Sequence, residues 1–299
     1  MAAEGDLGSW LEETTSWVEA GLEQALAIPR DAERGSAGAN GSLSAAMGHA
    51  LFGGGKRLRP ALVRAICAQL GGADQAALIP ACAIEMVHTY SLIHDDLPCM
   101  DDDDLRRGRP TCHVVYGEAL AVLAGDGLLT RALGYLADKG GRLAAQQVAV
   151  LARAAGEQGM VLGQALDLAQ EGHVATAAGV REIHALKTGA LLGAAVELGA
   201  LAAEADPAPL RPFGQALGLL FQAVDDVLDV TGEAALLGKT PGKDAAVEKA
   251  TLVAALGLAG AREEVSELTN AALAAGEKLG WDAGDRPLAL VRAMRDRRH

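Results

Sequence analysis

Most of the chain divides into apolar segments of helical length, separated by clusters of glycine, proline and small polar residues. The breaks fall at residues 35–41, 71–74, around Pro98, at 140–141, 171–179, 204–209 and 232–243, where turn-forming residues interrupt the hydrophobic periodicity. The segments 76–93 and 214–230 are apolar over most of their circumference, the mark of helices enclosed by other helices. A stripe of Glu and Arg along 257–279 marks an amphipathic outer helix. The pattern predicts central helices wrapped by peripheral ones, in a single domain covering 1–299 with no long linker and no repeat of fixed period.

Composition sharpens this picture. Half of the residues are apolar, aromatics are only 3% of the chain, and Ala, Leu and Gly abound, a balance that favours helix over sheet. We therefore expect an all-α fold. The formal net charge of −13 argues against a nucleic-acid surface and against general attraction to anionic lipid. An anionic ligand must then be met by a local basic site or a metal. Cys67, Cys82, Cys99 and Cys112 show no metal-ligand spacing and read as small buried hydrophobes of a reducing compartment. The N-terminal stretch lacks the basic and apolar regions of a signal peptide, and no apolar run approaches the ~18 residues of a membrane span, so a cytoplasmic protein is expected.

Two acidic clusters sit at the ends of the central helices. The stretch HDDLPCMDDDDLRR, residues 94–107, holds six aspartates within ten positions. On an unbroken helix Asp95 and Asp101 would lie apart, but Pro98 removes an amide donor and clashes with the preceding turn. The helix should unwind there and an irregular turn can return Asp101 to Asp95. Asp102, Asp103 and Asp104 are expected to cap the next segment or to face water. In FQAVDDVLD, residues 221–229, Asp225 and Asp229 project from one face and Asp226 lies about 100° around from Asp225. Like charges ~4 Å apart repel by about 4 kcal/mol at an effective dielectric of 20, so converging carboxylates need cations. With no His or Cys partner at zinc-like spacing, magnesium with a phosphorylated ligand is the economical inference.

Basic residues answer the acids. GGGKRLRP, residues 53–60, offers glycines that let a backbone approach an anion, followed by Lys56, Arg57 and Arg59 as phosphate donors. Arg106, Arg107, Lys187, Lys239, Lys243 and Lys249 follow. His88, seven residues before Asp95, lies about 20° from it on the helical wheel and faces the same side.

Together these motifs resemble the short-chain trans-isoprenyl diphosphate synthases, most closely the bacterial farnesyl diphosphate synthases. The resemblance runs in order through GGKRLRP (54–60), EMVHTYSLIHDDLPCMDDDDLRRGRPTCH (85–113), GMVLGQALDL (159–168), HALKTGALL (184–192), FQAVDDVLDVTG (221–232) and LGKTPGKDAAVEKAT (237–251). It implies an isoprenoid synthase fold of some ten helices around a central cavity, a homodimer, and three Mg²⁺ ions, with Mn²⁺ a possible substitute. Asp95, Asp101, Asp225 and Asp229 would be the metal ligands, with Asp96 and Asp226 in support. Lys56, Arg59, His88 and Arg107 would bind isopentenyl diphosphate. Arg106, Lys187, Thr188, Gln222 and Lys239 would surround the allylic diphosphate.

The activity so implied is condensation of isopentenyl diphosphate with dimethylallyl and geranyl diphosphate to farnesyl diphosphate. Tyr90, five positions before Asp95, would stop growth near fifteen carbons, while the small Ser91 leaves room beyond ten. Geranylgeranyl or geranyl diphosphate synthesis is the alternative. A terpene cyclase fits less well, because its second metal site mixes Asn, Ser or Thr with Glu. A noncatalytic subunit would be expected to lose aspartates that this chain keeps, and a calcium module would want a DxDxDG loop. The basic ending RAMRDRRH, residues 292–299, is expected to be a frayed, solvated tail, although Arg297 and Arg298 are placed to close over a diphosphate.

Overall fold

The periodicity of the chain becomes helix almost everywhere it was expected to. A computed structural model describes residues 2–26, 39–170, 172–174, 176–231 and 250–297. Its helices are α1 (Ala2–Leu26), α2 (Ala39–Leu51), α3 (Leu58–Gln69), α4 (Asp74–Asp95), α5 (Cys112–Tyr116), α6 (Glu118–Lys139), α7 (Ala144–Ala155), α8 (Met160–Gln170), α9 (Ala177–His184), α10 (Ala190–Ala202), α11 (Arg211–Thr231), α12 (Leu252–Lys278) and α13 (Arg286–Arg295). Among the described residues the sheet content is one antiparallel hairpin, Leu105–Arg106 with Arg109–Pro110. The fold class is all-α, as the composition indicated.

The expected breaks at 71–74, 140–141, 171–179 and 204–209 separate α3 from α4, α6 from α7, α8 from α9 and α10 from α11. The break at 232–243 lies outside the described residues, and residues 39–41 of the first break already belong to α2. Breaks went unforeseen at 52–57 between α2 and α3, at Gly117 between α5 and α6, at 156–159 between α7 and α8 and at 279–285 between α12 and α13.

The central layer is α3, α4, α10 and α11, with α6 along α4 and α12 along α11. Leu62, Ile66, Ile84, Met86, Leu191 and Phe213 are fully enclosed there. Small residues set the closeness of this packing. A Cβ on Gly199 of α10 would stand 2.7 Å from the Val63 carbonyl oxygen of α3. At the junction of α9 and α10, residues Ala185–Gly189 form a π-helical turn, a wide turn that often marks a functional site. Gly189 of this turn meets Gly218 of α11, where an added Cβ would lie 2.5 Å from the Gly189 Cα.

Two expectations need correction. Three stretches, Asp74–Asp95, Glu118–Lys139 and Ala177–Ala202, are long and apolar enough to cross a membrane by length and composition. Scattered polar residues hid them from a search for unbroken apolar runs. Burial of 67% and 56% of the first and third accounts for their apolarity, whereas only 33% of the α6 stretch is buried. Cys99 is exposed on the turn after Pro98, while Cys67, Cys82 and Cys112 are buried, where burial pushes their thiols up to about 11, 12 and 12.

Gly218→Ala should cost ~1–3 kcal/mol, the usual penalty for inserting a methyl into a filled contact, measured by urea denaturation. A neutral result would mean that α11 and the π turn are free to separate.

Candidate active site

The first aspartate cluster is assembled by the failure of α4. The helix ends at Asp95, with Pro98 in the turn that follows. The Asp101 N–H then donates to the Asp95 carbonyl at 2.8 Å, which folds the turn back on itself. Asp101 thus returns beside Asp95, as the proline required. Burial pushes the Asp95 carboxyl up to about 6; Lys187 and Arg106 oppose this and Asp101 and Asp96 add to it.

Asp96 points inward instead. It is 3% exposed and accepts the Arg106 fork at 2.8 Å from Nε and 2.5 Å from Nη2. Asp103, expected at a cap or in water, is buried: its N–H donates to the Asp96 carbonyl and its own carbonyl accepts from the Thr111 hydroxyl. The segment that follows is the hairpin, which offers no helix to cap. Asp102 and Asp104 are exposed.

The second cluster occupies the last turns of α11 and divides in the same way. Asp225 is half-buried and Asp229 exposed. Asp226 faces inward, accepts the Leu252 N–H at 2.6 Å and lies 3.5 Å from His184 Nε2. Burial pushes Asp226 up to about 7 against the opposing pull of the Leu252 amide, with Asp229 and Asp167 adding to the rise. Burial likewise pushes the His184 imidazole down to about 4, so this contact joins two groups that burial drives toward neutrality.

The C-terminal tail is not frayed through Arg297. Its guanidinium pairs with Asp225 and stacks 4.5 Å from the centre of the Phe221 ring. Asp225 supplies a carboxylate and Phe221, one turn before it on α11, the ring face, so the two hold the guanidinium together. Arg298 and the basic residues Lys239, Lys243 and Lys249 lie outside the described residues.

Between the two clusters stands an ion pair that the sequence reading missed. Lys187 Nζ donates to Asp167 of α8 at 2.7 Å. Lys187 acts on Asp95 and Asp167 on Asp226, so the pair bridges the electrostatics of both motifs. Close approach of the backbones makes this possible: a Cβ on Gly163 would stand 2.2 Å from the Lys187 backbone nitrogen. Gly163 and Asp167 are four apart in α8 and share a face, a signal present within GMVLGQALDL. Thr188 is half-buried in the π turn, and Gln222 is half-buried one turn ahead of Asp225 and Asp226.

The basic side is built on the 53–59 loop. Gly54 and Gly55 have φ of 90° and 129°, a region open mainly to glycine. Arg107 donates to the Gly54 carbonyl, and a Cβ on Gly55 would strike its guanidinium. The Arg59 Nε is buried without a partner among the described residues, and burial pulls this guanidinium down to about 10. Burial pushes His88 well below the usual imidazole range, with Arg59, Arg107, Arg106 and Arg57 adding to the shift. His88 is half-buried and lies within electrostatic reach of these four arginines. Lys56 is exposed, and burial of part of its stem together with Arg297 lowers its ammonium. Arg57 departs from expectation: it is 3% exposed, with its two terminal nitrogens directed at Glu85, Glu19 and the Leu51 carbonyl and its Nε, like that of Arg59, buried without a partner among the described residues.

Tyr90 is buried, and its ring meets His94 edge-on at 5.7 Å. His94 Nε2 lies 3.0 Å from the Val122 carbonyl of α6, an acceptor that requires Nε2 to carry the proton. Ser91 is half-buried and donates to the His88 carbonyl.

Among the described residues no group of three or more acidic, imidazole or thiol side chains is gathered into a preformed metal cage. The donor set nevertheless fits a hard divalent cation. Its accessible members are carboxylates, Asp95 and Asp101 are folded together, and a guanidinium already stands as the cation at Asp225. Magnesium commonly takes a few carboxylates and completes its shell with water and substrate phosphate.

Fold and site define an all-helical protein whose paired aspartate motifs are set against a basic loop. The chain belongs to the polyprenyl synthetase family, whose model matches residues 40–279. It is 47% identical over 235 residues to a chloroplastic geranylgeranyl pyrophosphate synthase of Capsicum annuum, covering 76% of this chain and 64% of that one. It is 44% identical to a farnesyl diphosphate synthase of Haemophilus influenzae, over 84% of this chain and 88% of that one. The apo crystal structure of an FPP/GFPP synthase from Zymomonas mobilis superposes with a TM-score of 0.84 at 34% identity, covering 98% of this chain and 100% of that one.

Asp226→Ala should destabilise the protein by ~1–3 kcal/mol by leaving the Leu252 amide unsatisfied, read as a lower denaturation midpoint. An unchanged midpoint would deny Asp226 its anchoring role.

Proposed function

We propose that the protein elongates prenyl chains, condensing isopentenyl diphosphate with dimethylallyl and then geranyl diphosphate to give farnesyl diphosphate. The observation that carries this reading is the folding of Asp95 and Asp101 together beside Lys187 and Arg106, next to a basic loop whose buried Arg59 Nε lacks a partner. Such a site suits two diphosphates, one held through a cation and one through side chains.

Asp95, Asp101, Asp225 and Asp229 would hold magnesium, which when bound would supply positive charge to the allylic diphosphate as a leaving group. Lys187 and Arg106, with Thr188 and Gln222 nearby and Lys239 beyond the described residues, orient that leaving group and share its charge. Lys56, Arg59, His88 and Arg107 hold isopentenyl diphosphate so that its double bond meets the allylic cation. Loss of a proton, to the departing pyrophosphate, completes the product without a protein nucleophile. The apolar flank around Tyr90 excludes water from the cation.

Tyr90 supports a fifteen-carbon limit because it is a bulky buried ring close enough to Asp95 to feel its charge. The small Ser91 leaves room beyond ten carbons, and the Capsicum annuum likeness favours a twenty-carbon product as the second reading. A homodimer is supported by the outer face of α6, where Val122 and Leu123 are 40% and 55% exposed.

Incubation with isopentenyl diphosphate and either allylic starter should give farnesyl diphosphate with Mg²⁺ and none with a chelator. Product that ignores the metal, or no product from either starter, overturns the reading. Asp95→Ala should lower kcat by ~10²–10³, the usual scale for losing a transition-state electrostatic group. Tyr90→Ala should lengthen the product on chromatography; an unchanged fifteen-carbon product counts against the chain-length role.

A further inference from the structure

We propose that Arg57 is a positioning residue: clamped by Glu85, Glu19 and the Leu51 carbonyl, it holds the 53–59 loop in the shape that presents Lys56 and Arg59 to a diphosphate. The inference rests on the proposed function and assigns a separate task to one arginine of the basic motif.

Arg57 is the least accessible member of that motif. Its side chain is 1% exposed, at 2.7 Å from Glu85 and 3.0 Å from Glu19, and it reaches the Leu51 carbonyl at 2.6 Å. A ligand arriving from solution cannot touch it. The three acceptors belong to three different helices: Glu19 to α1, Leu51 to the end of α2 and Glu85 to α4. One guanidinium fork therefore fixes the loop against all of them at once, a task suited to planar multi-donor geometry and not to a lysine.

The backbone shows that the loop must be held. Arg57 has φ of 46°, in the left-handed region that residues with side chains rarely occupy. It follows the positive-φ pair Gly54 and Gly55 and directly precedes α3. A relaxed Arg57 would re-aim Lys56 on one side and Arg59 on the other.

The acid end of the clamp also serves its neighbours. Arg59 senses Glu85 against the repulsion of Arg107, and Arg107 senses Glu85 and Asp96 against that of Arg57 and Arg106. Glu85, 2% exposed, is thus the internal counter-ion of the cluster. Without it the arginines would repel one another before a diphosphate arrived.

The test compares Arg57→Met, Arg57→Lys and Glu19→Gln with the wild-type protein. Steady-state KM is measured for isopentenyl and for geranyl diphosphate, with calorimetric binding of inorganic pyrophosphate as a readout independent of turnover. Arg57→Met should raise the isopentenyl KM and weaken pyrophosphate binding by about tenfold or more, the scale of a misplaced binding group. The geranyl KM should change far less. Arg57→Lys should recover part of the loss, and Glu19→Gln, which takes the charge out of the α1 contact while leaving an acceptor oxygen, should show a smaller loss of the same kind. If Arg57→Met does not fold, Glu19→Gln decides. Folded variants with unchanged isopentenyl KM and pyrophosphate affinity overturn the proposal. Wild-type protein that binds no diphosphate overturns the functional reading and this inference together.

Discussion

Both aspartate motifs lie at the C-terminal ends of helices, where backbone carbonyls already make the field negative. Asp95 is the last residue of α4, and Asp225, Asp226 and Asp229 occupy the final turns of α11. A carboxylate at such an end is disfavoured by ~0.3–1 kcal/mol when exposed, and its acidic neighbours add to that. The arrangement is tolerable only with positive charge or hydrogen-bond donors close by. The Arg106 fork on Asp96, the Leu252 amide on Asp226, Arg297 on Asp225 and the Lys187–Asp167 pair between the motifs all answer this one demand. They answer it incompletely, and under the proposed function the unmet part would drive the binding of a cation.

Adjacent residues on a helix point about 100° apart, so a pair of successive aspartates cannot serve one purpose. In each motif the second residue, Asp96 or Asp226, turns inward and fastens a neighbouring segment, while the first, Asp95 or Asp225, faces the site. The hairpin is tied to α4 through Arg106 and Asp96, and α12 is tied to α11 through Leu252 and Asp226. The basic loop repeats the division in adjacent residues: both terminal nitrogens of Arg57 are committed to internal acceptors, whereas Lys56 before it is exposed.

What could be read from the chain alone was what local chemistry decides. Pro98 cannot continue a helix, so the turn that returns Asp101 was predictable. His88 is seven residues from Asp95, and seven residues are nearly two turns, so its side of α4 was predictable too. The misses concern partners supplied by distant segments. Nothing near Arg57 reveals that Glu19 and Glu85 will flank it, and nothing near Arg297 reveals that Asp225 lies within reach. A trace of each was nonetheless present. Glu85 is a single acid in an apolar run, three residues before His88, and Asp167 is a lone acid on the glycine-bearing face of α8. A charge buried in an apolar helix is rarely idle, so such acids mark places where a cation must come from elsewhere in the fold.

The same logic of fixed neighbours extends to the apolar side of the site. Tyr90 and His94 are four apart on α4, so their rings meet on one face. The His94 ring is pinned in turn by the Val122 carbonyl and seated over Gly125, where a Cβ would lie 2.2 Å from Nε2. Tyr90 is therefore not a lone ring. It rests against another ring that α6 holds by a hydrogen bond and a shape match, and under the proposed function a length limit set there would be as firm as the packing of α4 on α6. The outer face of that same α6 is the least buried of the long apolar stretches, so anything that covers it would stiffen the wall behind Tyr90.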